Sequence, residues 1–145
     1  MNWVFPLPKQ YLSRLTSPYG WRFHPKITNK DGTPYHHFHN GCDFGAPTGE
    51  KIKPCAKGQV IEVNYKNRNG NYIRIRHENG WVSTYCHLHK VYVEPYVIVD
   101  INTEVGEVGD TGVSTAPHLH FTMYTNWTGN VGTSKHIDPM TLFTS

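Results

Sequence analysis

Apolar and polar residues alternate through the middle of this chain, and a period of two predicts half-buried strands. In residues 71–77, Ile73 and Ile75 interleave with Arg74 and Arg76, and Asn79-Gly80 turns this run into a second one at 81–87. An earlier run at 58–65 (Gly58-Gln59-Val60-Ile61) leads to Asn69-Gly70, another hairpin-turn pair. Residues 91–101 are rich in β-branched side chains and predict a further strand, with Pro95 arguing for an edge or a bulge. Residues 105–109 and the Asp110-Thr111-Gly112 turn deliver the chain to a last run, where Leu119 and Phe121 alternate with His118, His120 and Thr122. Residues 1–16 read as a lead-in with a short turn or strand at 11–15. Residues 17–25 read as a turn-rich opening with alternating aromatics, and 26–35 as a polar loop around Asp31-Gly32. No stretch keeps a helical period over three turns. The pattern predicts an all-β, single-domain chain, with residues 17–145 as the domain proper. Its strands are antiparallel because the connections are hairpin-short.

Composition agrees and narrows the function classes. Thirteen glycines and ten prolines in 145 residues, with 13% aromatic content, suit a turn-rich β domain long enough to bury a core. The net charge is +3, but Lys and Arg are scattered, which argues against a nucleic-acid partner. Cys42, Cys55 and Cys86 lack CxxC spacing and are odd in number, so they predict small buried hydrophobes rather than a disulfide framework or a thiolate site. The first residues hold neither a basic region nor a long apolar run, so neither a secretory signal nor membrane insertion is expected.

Ten histidines change the picture. On a strand, His118 and His120 point to one face about 6.6 Å apart, so one can ligate a metal while the other stands near a metal-bound water. His39 and Asp43 add an imidazole and a carboxylate, both acceptable zinc ligands. Four residues of straight strand span about 13 Å, too far for one ion. The segment must therefore bend, and Gly41 is the place for it. His77-Glu78 begins like HExxH, but Trp81 occupies the position of the second histidine. Without a glutamate base, proton work falls to the unused member of the 118/120 pair and to one of His87 and His89; spacing chooses neither. His24 and the His36-His37 pair read as structural or solvated, His77 and His136 as surface residues, and Arg22 as a loop-ordering side chain. Trp81, Tyr124 and Trp127 either shape a cleft or pack the core.

In this order the motifs resemble the lysostaphin-type, LytM-like zinc metallopeptidases that cut the peptide part of bacterial cell wall. They are Tyr19-Gly20-Trp21-Arg22-Phe23-His24-Pro25, the HxGxDFxAPxG run at 39–49, Gly58-Gln59-Val60, Tyr85-Cys86-His87-Leu88, the 109–121 run ending Pro117-His118-Leu119-His120-Phe121, and Asp138-Pro139. The resemblance implies a twisted antiparallel sheet forming a groove closed by loops. It implies one zinc held by His39, Asp43 and His120, with His87 and His118 handling protons and stabilising the oxyanion, and it leaves His89 outside the motif. The implied activity is a zinc endopeptidase of peptidoglycan; the alternative is a catalytically silent binding module. Both a glycine bridge and a D-amino-acid cross-link remain open as the scissile bond. Ala116, Thr122, Asn102 and Glu94-Pro95 depart from the usual pattern and bear on loop shape and substrate preference. A compact peptidase without a signal peptide fits a bacteriophage protein made in the cytoplasm. It would reach the wall as an endolysin after holin release, or from the virion among other tail proteins.

Overall fold

A computed structural model describes residues 1–114 and 116–143, leaving out the side chains of residues 24–27 and 34. The reading of His24 therefore lies outside the described residues. Twelve strands are described: β1 (Leu15–Ser17), β2 (Gly20–Thr28), β3 (Pro34–His39), β4 (Cys42–Gly45), β5 (Lys51–Ile52) and β6 (Gly58–Lys66), then β7 (Gly70–His77), β8 (Val82–Val91), β9 (Ile98–Val99), β10 (Gly106–Val108), β11 (His118–Asn126) and β12 (Lys135–Ile137). Helix is confined to single turns, the longest at Met140–Phe143. No described helix is long and apolar enough to cross a membrane.

Ten of these strands form one antiparallel sheet whose main path runs β1-β4-β11-β8-β7-β6-β9. Alternation decides its faces. Leu119, Phe121 and Met123 of β11 point inward and are fully buried with Phe44, Ile73, Ile75, Tyr85 and Val60. His118, His120 and Thr122 occupy the opposite face, which carries the site. The hairpins expected at Asn69-Gly70 and Asn79-Gly80 are present, and both glycines have positive φ (64° and 88°), a region open to glycine at no steric cost.

Three segments and two histidines differ from the sequence expectation. Residues 1–16 pack into the same core: Trp3 stacks on Trp81 at 5.6 Å, Phe5 meets Phe44 at 4.8 Å, and Leu7 and Tyr11 are buried. Residues 20–35, read as turns and a polar loop, instead join residues 36–39 in a separate two-stranded ribbon of β2 and β3. Arg22 Nε donates to His37 Nε2 across that ribbon at 3.1 Å, the ordering role expected of it. Within 91–101, only Val91 and the pair Ile98–Val99 are strand. The chain loops between them because Tyr96 takes φ 76°, with Tyr96 N–H bonding the Val60 carbonyl and Val60 N–H the Val97 carbonyl.

The last difference concerns two histidines. His77 is buried rather than on the surface, with Nδ1 on the Lys57 carbonyl (3.0 Å) and Nε2 on Ser83 Oγ (2.7 Å). His136 is half-buried, bonding the Tyr19 hydroxyl at 2.8 Å and stacking on Phe38. Cys42, Cys55 and Cys86 are free and buried, and burial pushes the Cys42 and Cys86 thiols up to about 12.

Candidate active site

The site sits where β4, β11 and β8 lie side by side. His120 stands directly opposite Asp43 on one side and Cys86 on the other, so register alone brings the β11 histidine against the β4 carboxylate. His39 arrives from the end of β3 through a bend at residues 40–41. Gly41 makes that bend possible by lying against β11: a Cβ there would collide with the Phe121 carbonyl oxygen and stand 2.8 Å from Thr122 Oγ1. The two segments named from sequence thus meet, with His39, Asp43 and His120 each offering one ligand atom within 4.8 Å of the others.

Distances among these atoms test whether a metal fits. His120 Nδ1 lies 2.7 Å from Asp43 Oδ1, His39 Nε2 lies 3.2 Å from His120 Nδ1, and His39 Nε2 lies 3.5 Å from Asp43 Oδ1. Tetrahedral ligands at zinc-like bond lengths stand roughly 3.4 Å apart. Two of the separations match and the third needs only a small opening. The far ring nitrogens are held as a metal site requires. The Pro18 carbonyl can only accept, so His39 Nδ1–H donates to it at 2.9 Å and Nε2 keeps its lone pair for the cluster. His120 Nε2 is held by Thr122 Oγ1 at 3.1 Å. The donor set fits a divalent metal.

Electrostatics point the same way. Burial works to raise the Asp43 carboxyl, but hydrogen bonds and charge from His120 and His39 outweigh it and hold the group well below the usual carboxylate range. Burial lowers His120, overriding the Asp43 contacts that raise it, which favours the neutral ring a ligand must be.

Two more histidines face the cluster. His118 Nδ1–H donates to the Ala116 carbonyl (2.8 Å), leaving Nε2 turned toward Asp43 Oδ1 at 3.8 Å. His87 Nδ1–H donates to the Thr111 carbonyl (2.7 Å), and its ring centre lies 4.6 Å from that of His118. Burial lowers His87 to about 4, so it is a neutral base at pH 7. Its backbone has φ 69°, an unusual conformation for a residue with a side chain. His89 and His36 are exposed and outside the group, and so outside it is the partly buried His37 of the ribbon. Trp81 packs against Trp3, Tyr124 is buried, and Trp127 covers the buried Arg74 guanidinium at 4.2 Å. The supporting groups that sequence reading missed are the Pro18 and Thr111 carbonyls and the Thr122 hydroxyl. Backbone carbonyls leave no signature in residue type, and Thr122 registered only as a departure from an expected acid.

Residues 37–139 match the family described as peptidase family M23. The chain belongs to that family. It is 38% identical over 88 residues to the peptidoglycan DD-endopeptidase ShyC of Vibrio cholerae, an alignment covering 61% of this chain and 20% of ShyC. It resembles the catalytic domain of lysostaphin from Staphylococcus simulans with TM-score 0.72 and 31% identity, over 93% of this chain and 96% of that one. It also resembles a zinc-containing peptidase from Vibrio cholerae with TM-score 0.72 and 30% identity, over 97% of this chain and 40% of that one. The chain spans between 20% and 30% of the length of the first curated relatives it matches.

Proposed function

We propose that this M23 chain is a zinc-dependent endopeptidase that hydrolyses peptide bonds in bacterial peptidoglycan. One observation carries the reading: two imidazoles and a carboxylate converge at ligand spacing, with two further histidines presenting Nε2 beside them. His39, Asp43 and His120 would hold the metal, and imidazole with carboxylate is a donor set that suits zinc. When bound, zinc supplies Lewis acidity at the scissile carbonyl and lowers the pKa of water toward neutrality. His87 is a neutral base at pH 7 whose Nδ1–H is committed to a backbone carbonyl, so its Nε2 accepts the proton of the attacking water. His118, fixed in the same tautomer by Ala116, offers Nε2 to the oxyanion or the leaving amine. Asp43 stays anionic throughout.

Zinc content and release of new amino groups from purified sacculi test this. The proposal expects one zinc per chain, and hydrolysis that His118→Ala reduces by roughly 10²–10⁴-fold. Zinc-loaded protein that cleaves no wall type would instead favour a silent binding module.

A further inference from the structure

The ribbon of β2 and β3 leaves a row of rings in solvent. Trp21 stands directly opposite Phe38 and Phe23 opposite His36, so alternation puts these four on one face and Arg22 and His37 on the other. Each ring meets the next: Phe23 and His36 at 4.9 Å between centroids, His36 and Trp21 at 5.0 Å, Trp21 and Phe38 at 5.3 Å. At the base of the ribbon Phe38 is seated against Tyr19 at 5.0 Å and His136 at 5.5 Å, which anchors the row there. Further out it is open. Trp21 is 67% and Phe23 65% exposed, and His36 is exposed beside them. Contiguous apolar surface of this kind marks an interaction site.

Composition, tip and position together single out the occupant. The four side chains are all rings, with no aliphatic group and no fixed charge among them. The tip of the ribbon is polar: residues 28–33 are exposed, and Asp31 accepts from the Thr33 N–H at 3.0 Å and from its hydroxyl at 2.6 Å. A ribbon dipping into lipid would have to lead with that charged turn, which is costly to bury. The row also adjoins the metal cluster. Phe38 is followed by His39, whose Nε2 lies 3.2 Å from His120 Nδ1, and Gly20, next to Trp21, stands opposite His39. A molecule held on the rings is therefore continuous with the site.

We propose that this row of rings binds the glycan strand of the cell wall, holding the sugar polymer on the ribbon while its attached peptide enters the site. The inference rests on the peptidase reading and adds a contact outside the peptide. A pyranose ring presents a face of C–H groups whose partial positive charge suits the negative face of an aromatic ring, while its hydroxyls stay at the wet rim. The Trp21 indole N–H and the His36 ring nitrogens can hydrogen-bond such hydroxyls. A neutral sugar needs no cation, and Arg22, beside the rings in sequence, is turned to the other face and bonded to His37. Trp21 and Phe23 lie two residues apart on β2, about 6.6 Å, the scale of one sugar unit.

The test uses N-acetylglucosamine tetrasaccharide, which carries neither peptide nor charge. Titrated into the full-length zinc-loaded protein, it should shift the Trp21 indole and Phe38 amide resonances. Trp21→Ala weakens binding roughly tenfold and Trp21→Phe keeps most of it. In steady-state kinetics Trp21→Ala raises the KM for intact sacculi several-fold, whereas a glycan-free cross-linked peptide is cut as by the parent. Absence of sugar-induced shifts, or an equal loss on sacculi and on the free peptide, overturns the proposal and leaves the peptidase reading standing. Trp21-dependent binding to phosphatidylglycerol vesicles, or Trp21-dependent dimerisation in sedimentation, without response to the sugar, overturns it in favour of lipid or a second copy. Sugar-induced shifts with neither substrate cleaved would keep the ribbon's role and overturn the peptidase reading.

Discussion

His87-Leu88-His89 and His118-Leu119-His120 are the same three residues in two strands, and the fold uses them differently. On β11 the register is unbroken from His118 to Phe121, so both histidines keep one face and both reach the site. On β8 the register slips. Ile73 pairs with Tyr85 but Asn71 with Leu88, so three steps of β8 answer two of β7. His87 absorbs the extra residue at φ 69°, as the left-handed position of a bulge does. The bulge keeps Leu88 in the core while His87 reaches His118, and His89 is left exposed. Identical sequence brings two imidazoles to the site from a regular strand and one from a bulged strand.

The contrast can be broken by substitution, beginning with the most severe effect. His120→Ala should abolish both metal binding and hydrolysis, whereas His89→Ala should leave metal content and stability within experimental error. His87→Ala falls between, keeping the metal and losing roughly 10²–10⁴-fold in kcat. Metal analysis beside sacculus digestion separates the three. A smaller effect is expected from Thr122→Val, which removes the oxygen holding His120 Nε2. Zinc affinity should fall roughly 10–100-fold with the fold intact, measured by competition with a chelator.

The bulge itself can be tested without chemistry. His87→Gly and His87→Ala both delete the imidazole, but only glycine accepts φ 69° without strain. Denaturant unfolding should therefore find the glycine variant more stable by about 1 kcal/mol. The gentlest test is pH. Burial lowers His87 to about 4 and also lowers His77, each from an ordinary 6.5. Between those values the unfolded chain takes up protons that the native state refuses. Stability of the metal-free protein is thus full above about pH 6.5 and falls as pH drops toward 4, read as a falling Tm.

What was legible in the sequence was local. Ile73 and Ile75 gave away β7 because a period of two needs no distant information, and Gly41 marked the bend that joins His39 to Asp43. The misread segments depend on partners far along the chain. Residues 91–101 carry strand-forming side chains, yet their strand pairing is limited to Val91 against Gly106 and to Ile98–Val99, where β6 offers free backbone at Gly58 and Gln59. His77 is polar by type but buried because Ser83 and the Lys57 carbonyl receive it. Residues 20–39 form a ribbon despite their turn residues because Gly20 to Phe23 find His39 to His36 across the hairpin. Spacing could not choose His87 over His89, since nothing in the tripeptide marks a bulge; the family resemblance favoured it, and the register shift supplies the physical reason.

Anomalous scattering at the zinc edge, from crystals of the zinc-loaded chain, tests the central claim most directly. The account predicts one peak per chain with His39 Nε2, Asp43 Oδ1 and His120 Nδ1 at about 2.0–2.2 Å. His87 and His118 should stand outside the coordination sphere. No peak at that position, or one ligated by His87 or His89 in place of His120, would contradict it.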